Sequence, residues 1–223
     1  MNRGNKGIIV ALIVSVSAVL SGCSGNSDEL DEKLTHTVKM SFINSLAYMA
    51  DFHVSKRNIS TGYTGLFDSK NIASSDVKAN DISSVYNYSY DAINNMVNLG
   101  VKDSINANQE KRITTNLSNG NHLWVIAWES SGSSTLSAIN KKQHNTPDVF
   151  NVRLFANGNY DVSVDDTAIL TTEKGIVTDY LAVSNCANSL KVAGNTIDLC
   201  TGNISSSYLL VVDGNGKRVM TEE

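Results

Sequence analysis

Three cysteines, four histidines, an alternating trio of tyrosines and two tryptophans are the side chains of this 223-residue chain most able to bind or react. Cys23, Cys186 and Cys200 offer thiols, but no C-x-x-C or H-x-x-x-H spacing accompanies them, so no metal centre is expected. His36, His53, His122 and His144 lie far apart, and no G-x-S-x-G, H-E-x-x-H or P-loop pattern is present. The expectation is therefore a protein with no catalytic residues and no cofactor, not an enzyme. Asp165-Asp166 and Asp213-x-Asn215 hint at calcium, but a loop for that ion needs more oxygen ligands, including a terminal bidentate carboxylate. Asp213-Gly214 reads instead as a hairpin turn.

Aromatic side chains supply the candidate binding residues. Tyr86, Tyr88 and Tyr90 alternate, so a strand stacks them on one face. That face is either a platform for a glycan or a partner, or the inner side of a sheet with its hydroxyls at the rim. Asn87, Ser89 and Asp91 occupy the opposite face, which favours the inner reading. Trp124, Ile126 and Trp128 share one side of a second strand, and Leu123, Val125 and Ala127 the other. A strand apolar on both sides needs two covers. One is a core; the other is a neighbouring domain, the long insertion described below or a partner surface, with contact between domains the cheapest solution.

The N-terminal region suggests a location. Residues 1–7 carry Arg3 and Lys6, and Ile8 to Leu20 form an apolar run of 13 residues. As a helix that run spans roughly 20 Å, short of the roughly 30 Å hydrocarbon layer, which favours a cleaved signal over a permanent span. It ends in Leu20-Ser21-Gly22-Cys23, which resembles the lipobox of bacterial lipoproteins. That resemblance implies cleavage before Cys23, a diacylglycerol on its sulfur and an acylated new N-terminus. The partner so implied is a membrane, held through acyl chains. Each buried CH₂ contributes about 0.8 kcal/mol, so several chains make attachment near-permanent. Ser24 stands where Gram-negative relatives carry Asp for inner-membrane retention, so the resemblance points to the outer membrane. Residues 23–34 are polar and acidic and read as a tether. Loss of residues 1–22 takes the net charge from −4 to −6. A mildly acidic chain with scattered charges lacks the clustered Lys and Arg that nucleic acid requires.

If Cys23 carries lipid, one pairing of the remaining cysteines is left. An exported compartment favours oxidation. The segment between Cys186 and Cys200 reads as two short strands around Gly194-Asn195, and such a hairpin can bring the sulfurs together. Two free buried thiols are the alternative.

The chain also repeats itself. Residues 38–54 and 151–164 align with Phe42 and Asn44 on Phe155 and Asn157, then Asp51–Val54 on Asp161–Val164. Ser84–Tyr88 parallels Ile176–Tyr180, and Leu123–Trp128 parallels Tyr208–Val212, each late run being followed by a turn and a short last segment. This order divides the chain into a domain at 35–142 and another at 148–223. The joint between them holds Pro147, the single proline. Val152, Arg153, Asn157, Asp161, Val162, Val164 and Asp165 resemble the V-R-x-x-N … D-V-x-V-D pattern of a bacterial envelope domain of unknown function. The resemblance implies immunoglobulin-like or transthyretin-like β-sandwiches and no activity; on this alignment Met40 replaces the arginine in the first half.

Independently, period-2 patterning and frequent turns indicate an all-β chain of two tandem β-sandwich domains behind a cleaved signal peptide. One helix is expected at Tyr90–Leu99, where Ile93, Met96 and Val97 follow helical spacing, although its asparagines weaken it. Residues 55–83 form a long insertion, about 29 residues against about 11 (165–175) at the same place in the second half, either functional or simply mobile. Together these features point to a lipid-anchored envelope protein that binds or scaffolds without catalysis, as a surface adhesin or an assembly accessory. The alternative is a glycan-binding or small-ligand-binding lipoprotein. A protein or glycan partner in the envelope is expected in either case.

Overall fold

Alternating apolar residues, many of them β-branched or aromatic, build strands from more than half of what the computed structural model describes, residues 34–106 and 109–223. The leader, Cys23 and the tether up to residue 33 lie outside these described residues. The first half contributes β1 (Thr35–Asn44), β2 (Ala50–Lys56), β3 (Ile72–Val77), β4 (Asp81–Ile82), β5 (Tyr86–Asp91), β6 (Met96–Asp103), β7 (Glu110–Asn116), β8 (His122–Ser130) and β9 (Ser133–Asn140). The second contributes β10 (Phe150–Ala156), β11 (Asp161–Val164), β12 (Thr167–Thr171), β13 (Leu181–Val183), β14 (Leu190–Val192), β15 (Asn195–Thr196), β16 (Ser207–Asp213) and β17 (Gly216–Glu222). The chain is all-β. The helix expected at Tyr90–Leu99 is not formed: β5 runs to Asp91, a turn follows, and β6 starts at Met96. Asparagine clusters favour turns over helix interiors, and the tertiary sheet takes the apolar residues on either side.

Both halves have the same topology. In the first, one sheet runs β4–β1–β8–β9 with β5 also on β1, and the other runs β3–β2–β6–β7. In the second the orders are β13–β10–β16–β17 and β12–β11–β14–β15. In each half the first strand lies parallel to the penultimate one, β1 with β8 and β10 with β16. A local hydrogen-bond motif also recurs. Ser83 Oγ accepts the N–H of Phe42 at 3.0 Å and donates to the Ser84 carbonyl, while Thr178 Oγ1 accepts the N–H of Leu154 at 3.0 Å and donates to the Asp179 carbonyl.

This motif corrects the sequence alignment by one residue. Phe42 corresponds to Leu154 rather than Phe155, and Ser41 rather than Met40 stands opposite Arg153. Met40 and Phe42 face the first core, as Val152 and Leu154 face the second, whereas Phe155 faces the other way. A one-residue slip turns every side chain of a strand to the opposite face, and identities alone carry no such information. The same motif pairs Ser83 with Thr178, so the parallel between Ser84–Tyr88 and Ile176–Tyr180 is displaced as well.

Three apolar clusters hold the fold. The first lies between the two sheets of the first half and includes Phe42, Phe52, Leu99 and Val125. The second lies between the sheets of the second half and includes Leu154, Val162, Leu190 and Leu210. The third joins the halves: Ile43, Trp124, Ile126 and Trp128 pack against Phe155, Leu209, Val211 and Val219. The second cover of the doubly apolar strand β8 is thus the sheet of the other half.

Cys186 and Cys200 form a disulfide across a sequence separation of 14 residues. Closing a loop of that size stabilises the fold by about 3 kcal/mol in the chain-entropy model. Replacing both cysteines by serine is expected to lower the unfolding free energy by about that amount in urea titration. Wild-type protein in reductant should fall to the same level, and an unchanged midpoint would refute the expectation.

Candidate functional site

Most of the aromatic candidates are structural. Trp124 and Trp128 are 3% and 7% exposed, closed between the halves. Their indole N–H groups donate to Glu223 Oε2 and Ser137 Oγ, both at 3.0 Å. A strand face that covers a domain joint has no surface left for a ligand, which corrects their assignment as binding residues. The tyrosines of β5 do share a face, and it turns inward. Tyr90 is 5% exposed in the first core, and the half-buried Tyr86 and Tyr88 pack on its rim. The Tyr90 ring is therefore not an accessible platform, because its face is where the two sheets meet. The acidic turns are internally satisfied as well. Asp165 accepts from Ser184 and Ser189, Asp166 pairs with Lys191, and Asp213 accepts the N–H of Asn215 and pairs with Arg218. No group of three or more metal-ligating side chains occurs among the described residues.

The joint between the halves is polar at one end. Arg153 and Glu223 form an ion pair whose side chains are 3% and 0% exposed. Glu223 also accepts from Trp124 Nε1 and from the Lys142 backbone N–H at 2.9 Å, and Arg153 donates to the Asn140 carbonyl at 3.0 Å. Tyr180 lies under the Arg153 guanidinium and donates to the Lys142 carbonyl at 2.7 Å. Nearby, Ser41 Oγ and His122 Nε2 are 3.0 Å apart. Burial chiefly lowers the affinity of His122 for a proton, with Lys141 and Lys39 acting the same way. A serine beside a neutral imidazole has the geometry of an activated nucleophile. Ser41, however, is 3% exposed, so no substrate carbonyl can reach it. The other imidazoles are dispersed: His36 sits on β1, His144 stacks on Tyr180, and His53 lies beneath the insertion.

The insertion forms a cleft whose residues are scattered in the sequence. Residues 57–71 fold over the outer face of β2, β6 and β7. Leu66 is fully buried there, and the Phe67 ring meets His53 edge-on at 5.2 Å. Gly100 makes room for it: a Cβ at that position would stand 2.7 Å from Phe67 Cε1. His53 is itself fully buried, and neither ring nitrogen has a hydrogen-bond partner.

At the margin of this cover, Tyr63 stands between cations. The guanidinium carbons of Arg57 and Arg112 lie 5.8 and 4.6 Å from its ring centroid. Arg57 Nη1 donates to Thr114 Oγ1 at 2.8 Å, and that hydroxyl lies 2.9 Å from Tyr63 Oη and 3.0 Å from Asn98 Oδ1. Asn98 in turn donates to the Gly62 carbonyl at 2.9 Å. The cleft beside them, about 460 Å³, is lined by Arg57, Tyr63, Met96, Thr114, Thr115 and Asn116. Two signals in the sequence pointed here. Arg57 and Tyr63 belong to the unmatched insertion, and Arg112, Thr114 and Asn116 alternate along one strand face. Their convergence was hidden because Arg57 and Thr114 are 57 residues apart.

Burial holds the His53 imidazole below its ordinary proton affinity, helped by the Lys102 ammonium and opposed by the Asp51 carboxylate. The unfolded chain takes up the proton first on acidification. Stability is therefore fully present above the unfolded pKa of about 6.5 and is lost as the pH falls below it. Thermal melts between pH 7.5 and 5 should show a steeper stability loss for wild type than for His53→Leu, with a slope difference of at most about 1.4 kcal/mol per pH unit. Parallel pH profiles would rule this out.

Comparison of the sequence with protein-family models and with curated proteins finds no match in either.

Proposed function

We propose that this protein is a non-enzymatic binding module of the bacterial cell envelope, tethered to a membrane through lipid on Cys23. The observation that carries the reading is the N-terminal order: two cations, a 13-residue apolar run too short to span, and Leu20-Ser21-Gly22-Cys23. Three further features support it. The disulfide Cys186–Cys200 suits an oxidising compartment outside the cytoplasm. The polar tether before Thr35 gives the folded part reach from a bilayer. The apolar joint between the halves makes a firm support on which a side cleft can be displayed. Attachment of several acyl chains leaves the protein resident at the membrane surface, and outer-membrane residence is the version that Ser24 favours.

Intact-mass measurement of the processed protein tests the anchor directly. The expected product begins at Cys23 and carries a diacylglyceryl thioether. Cys23→Ser should move the protein from the membrane fraction to the soluble fraction without altering its melting temperature. A free thiol at position 23, or an uncleaved leader, would overturn the reading.

A further inference from the structure

We propose that the cleft between residues 57–71 and β7 binds an anionic carbohydrate, its carboxylate held by Arg57 and Arg112 and its hydroxyls by Thr114 and Asn116. The inference goes beyond membrane tethering and does not depend on it.

Four observations converge on this ligand class. First, among the described residues the two guanidinium groups form no ion pair with a carboxylate. The ion pairs among the described residues are formed by Lys56, Lys70, Arg153, Lys191 and Arg218. Two arginines around one aromatic ring, with Glu110 on the same face of β7 in no ion pair with them, leave guanidinium groups available to an oxyanion. Guanidinium forks match carboxylates in shape and hydrogen-bond number, so such a pair selects an oxyanion.

Second, Arg57 is held in place. It is half-buried and fixed to Thr114 Oγ1, which also meets Tyr63 and the buried Asn98. The network positions the charge before a ligand arrives, so little side-chain entropy is lost on binding.

Third, the other lining groups are of the kind that recognise a polyol. Thr114 and Asn116 supply a hydroxyl and an amide, and no acidic side chain lines the cleft. The volume, about 460 Å³, far exceeds the roughly 30 Å³ share of one water, so a lone ion would leave most of it unused.

Fourth, the site belongs to the part of the chain that has no counterpart in the second half. The second half connects β11 to β12 through Asp165 and Asp166 alone, whereas 15 residues separate β2 from β3. Those added residues supply Tyr63 and the cover of His53, so the first half has a feature that its structural duplicate lacks.

The test is calorimetric titration of the full-length protein in neutral detergent with trigalacturonate, with uncharged maltotriose as the matched control. Trigalacturonate should bind and maltotriose should not. Arg112→Gln, at an exposed position, should weaken binding by about ten- to a hundredfold with the melting temperature unchanged, the loss of one charge-assisted contact. Arg57→Gln should do at least as much. Absence of trigalacturonate binding at low ionic strength would overturn the proposal. So would equal binding by the two sugars, or an Arg112→Gln variant that binds as wild type. Inorganic phosphate and vesicles containing phosphatidylglycerol provide the remaining arms. Binding of either through Arg112 in preference to trigalacturonate would assign the site to phosphate and likewise overturn it.

Discussion

Glu223→Ala is expected to destabilise the protein by about 3–5 kcal/mol, the range for removing one partner of a buried ion pair. The substitution leaves the Arg153 guanidinium with the Asn140 carbonyl as its remaining hydrogen-bond acceptor, at 3% side-chain exposure. It also orphans the Trp124 indole N–H and the Lys142 backbone N–H, both of which donate to Glu223. A stranded charge in a medium that solvates it poorly dominates the cost, since an unpaired neutral donor contributes only about 1–3 kcal/mol. The double variant Arg153→Met with Glu223→Gln separates these contributions. It removes both charges and keeps an amide oxygen able to accept from Trp124 and Lys142. Urea titration should place it closer to wild type than either single variant. If the single substitutions cost less than about 1 kcal/mol, or the double variant is the least stable of the three, the ion pair does not act as described.

Trp128→Ala should be the second severe change, costing about 3–5 kcal/mol. The indole meets Phe155 edge-on at 5.5 Å, donates to Ser137 and presses against Gly175, where a Cβ would come within 2.8 Å of it. Its removal opens a cavity inside the third apolar cluster rather than inside either sandwich core. The consequence is therefore not only lower stability. Wild-type protein should unfold in one cooperative transition because the joint couples the halves. Trp128→Ala weakens that coupling and should broaden or split the transition when intrinsic tyrosine and tryptophan signals are followed separately. Phe52→Ala, in the first core, should by contrast lower stability while leaving the transition single. A Trp128→Ala variant as cooperative and as stable as wild type would contradict the role assigned to the joint.

Local sequence carried the β class, the turn at Asp213-Gly214, the cysteine pairing and the side-by-side aromatic pattern of β5. Apart from the pairing, which rests on elimination of Cys23 and a hairpin between the other two, each follows from a period of two residues or from the φ preferences of a few side chains, which act within a handful of positions. The helix expected at Tyr90–Leu99 failed for the complementary reason: a short apolar run at helical spacing is also compatible with the end of one strand and the start of another. Pairing with β1 and β2 decided between them. The repeat was visible as an order of features, but its register was not. Ser83 and Thr178 reveal it only through hydrogen bonds to Phe42 and Leu154 across the sheet.

By itself the sequence determined that this chain is built of strands, that Cys186 and Cys200 have each other as the natural partner, and that β8 must be covered on both sides. Tertiary structure alone decided what covers it, which face of β10 carries Arg153, and that Arg57, Tyr63, Arg112 and Thr114 surround one cleft. The division has a physical origin. Backbone preference and apolar periodicity are properties of neighbouring residues. A site whose parts lie 57 residues apart, as Arg57 and Thr114 do, exists only after nonlocal strand pairing has closed the loops between them.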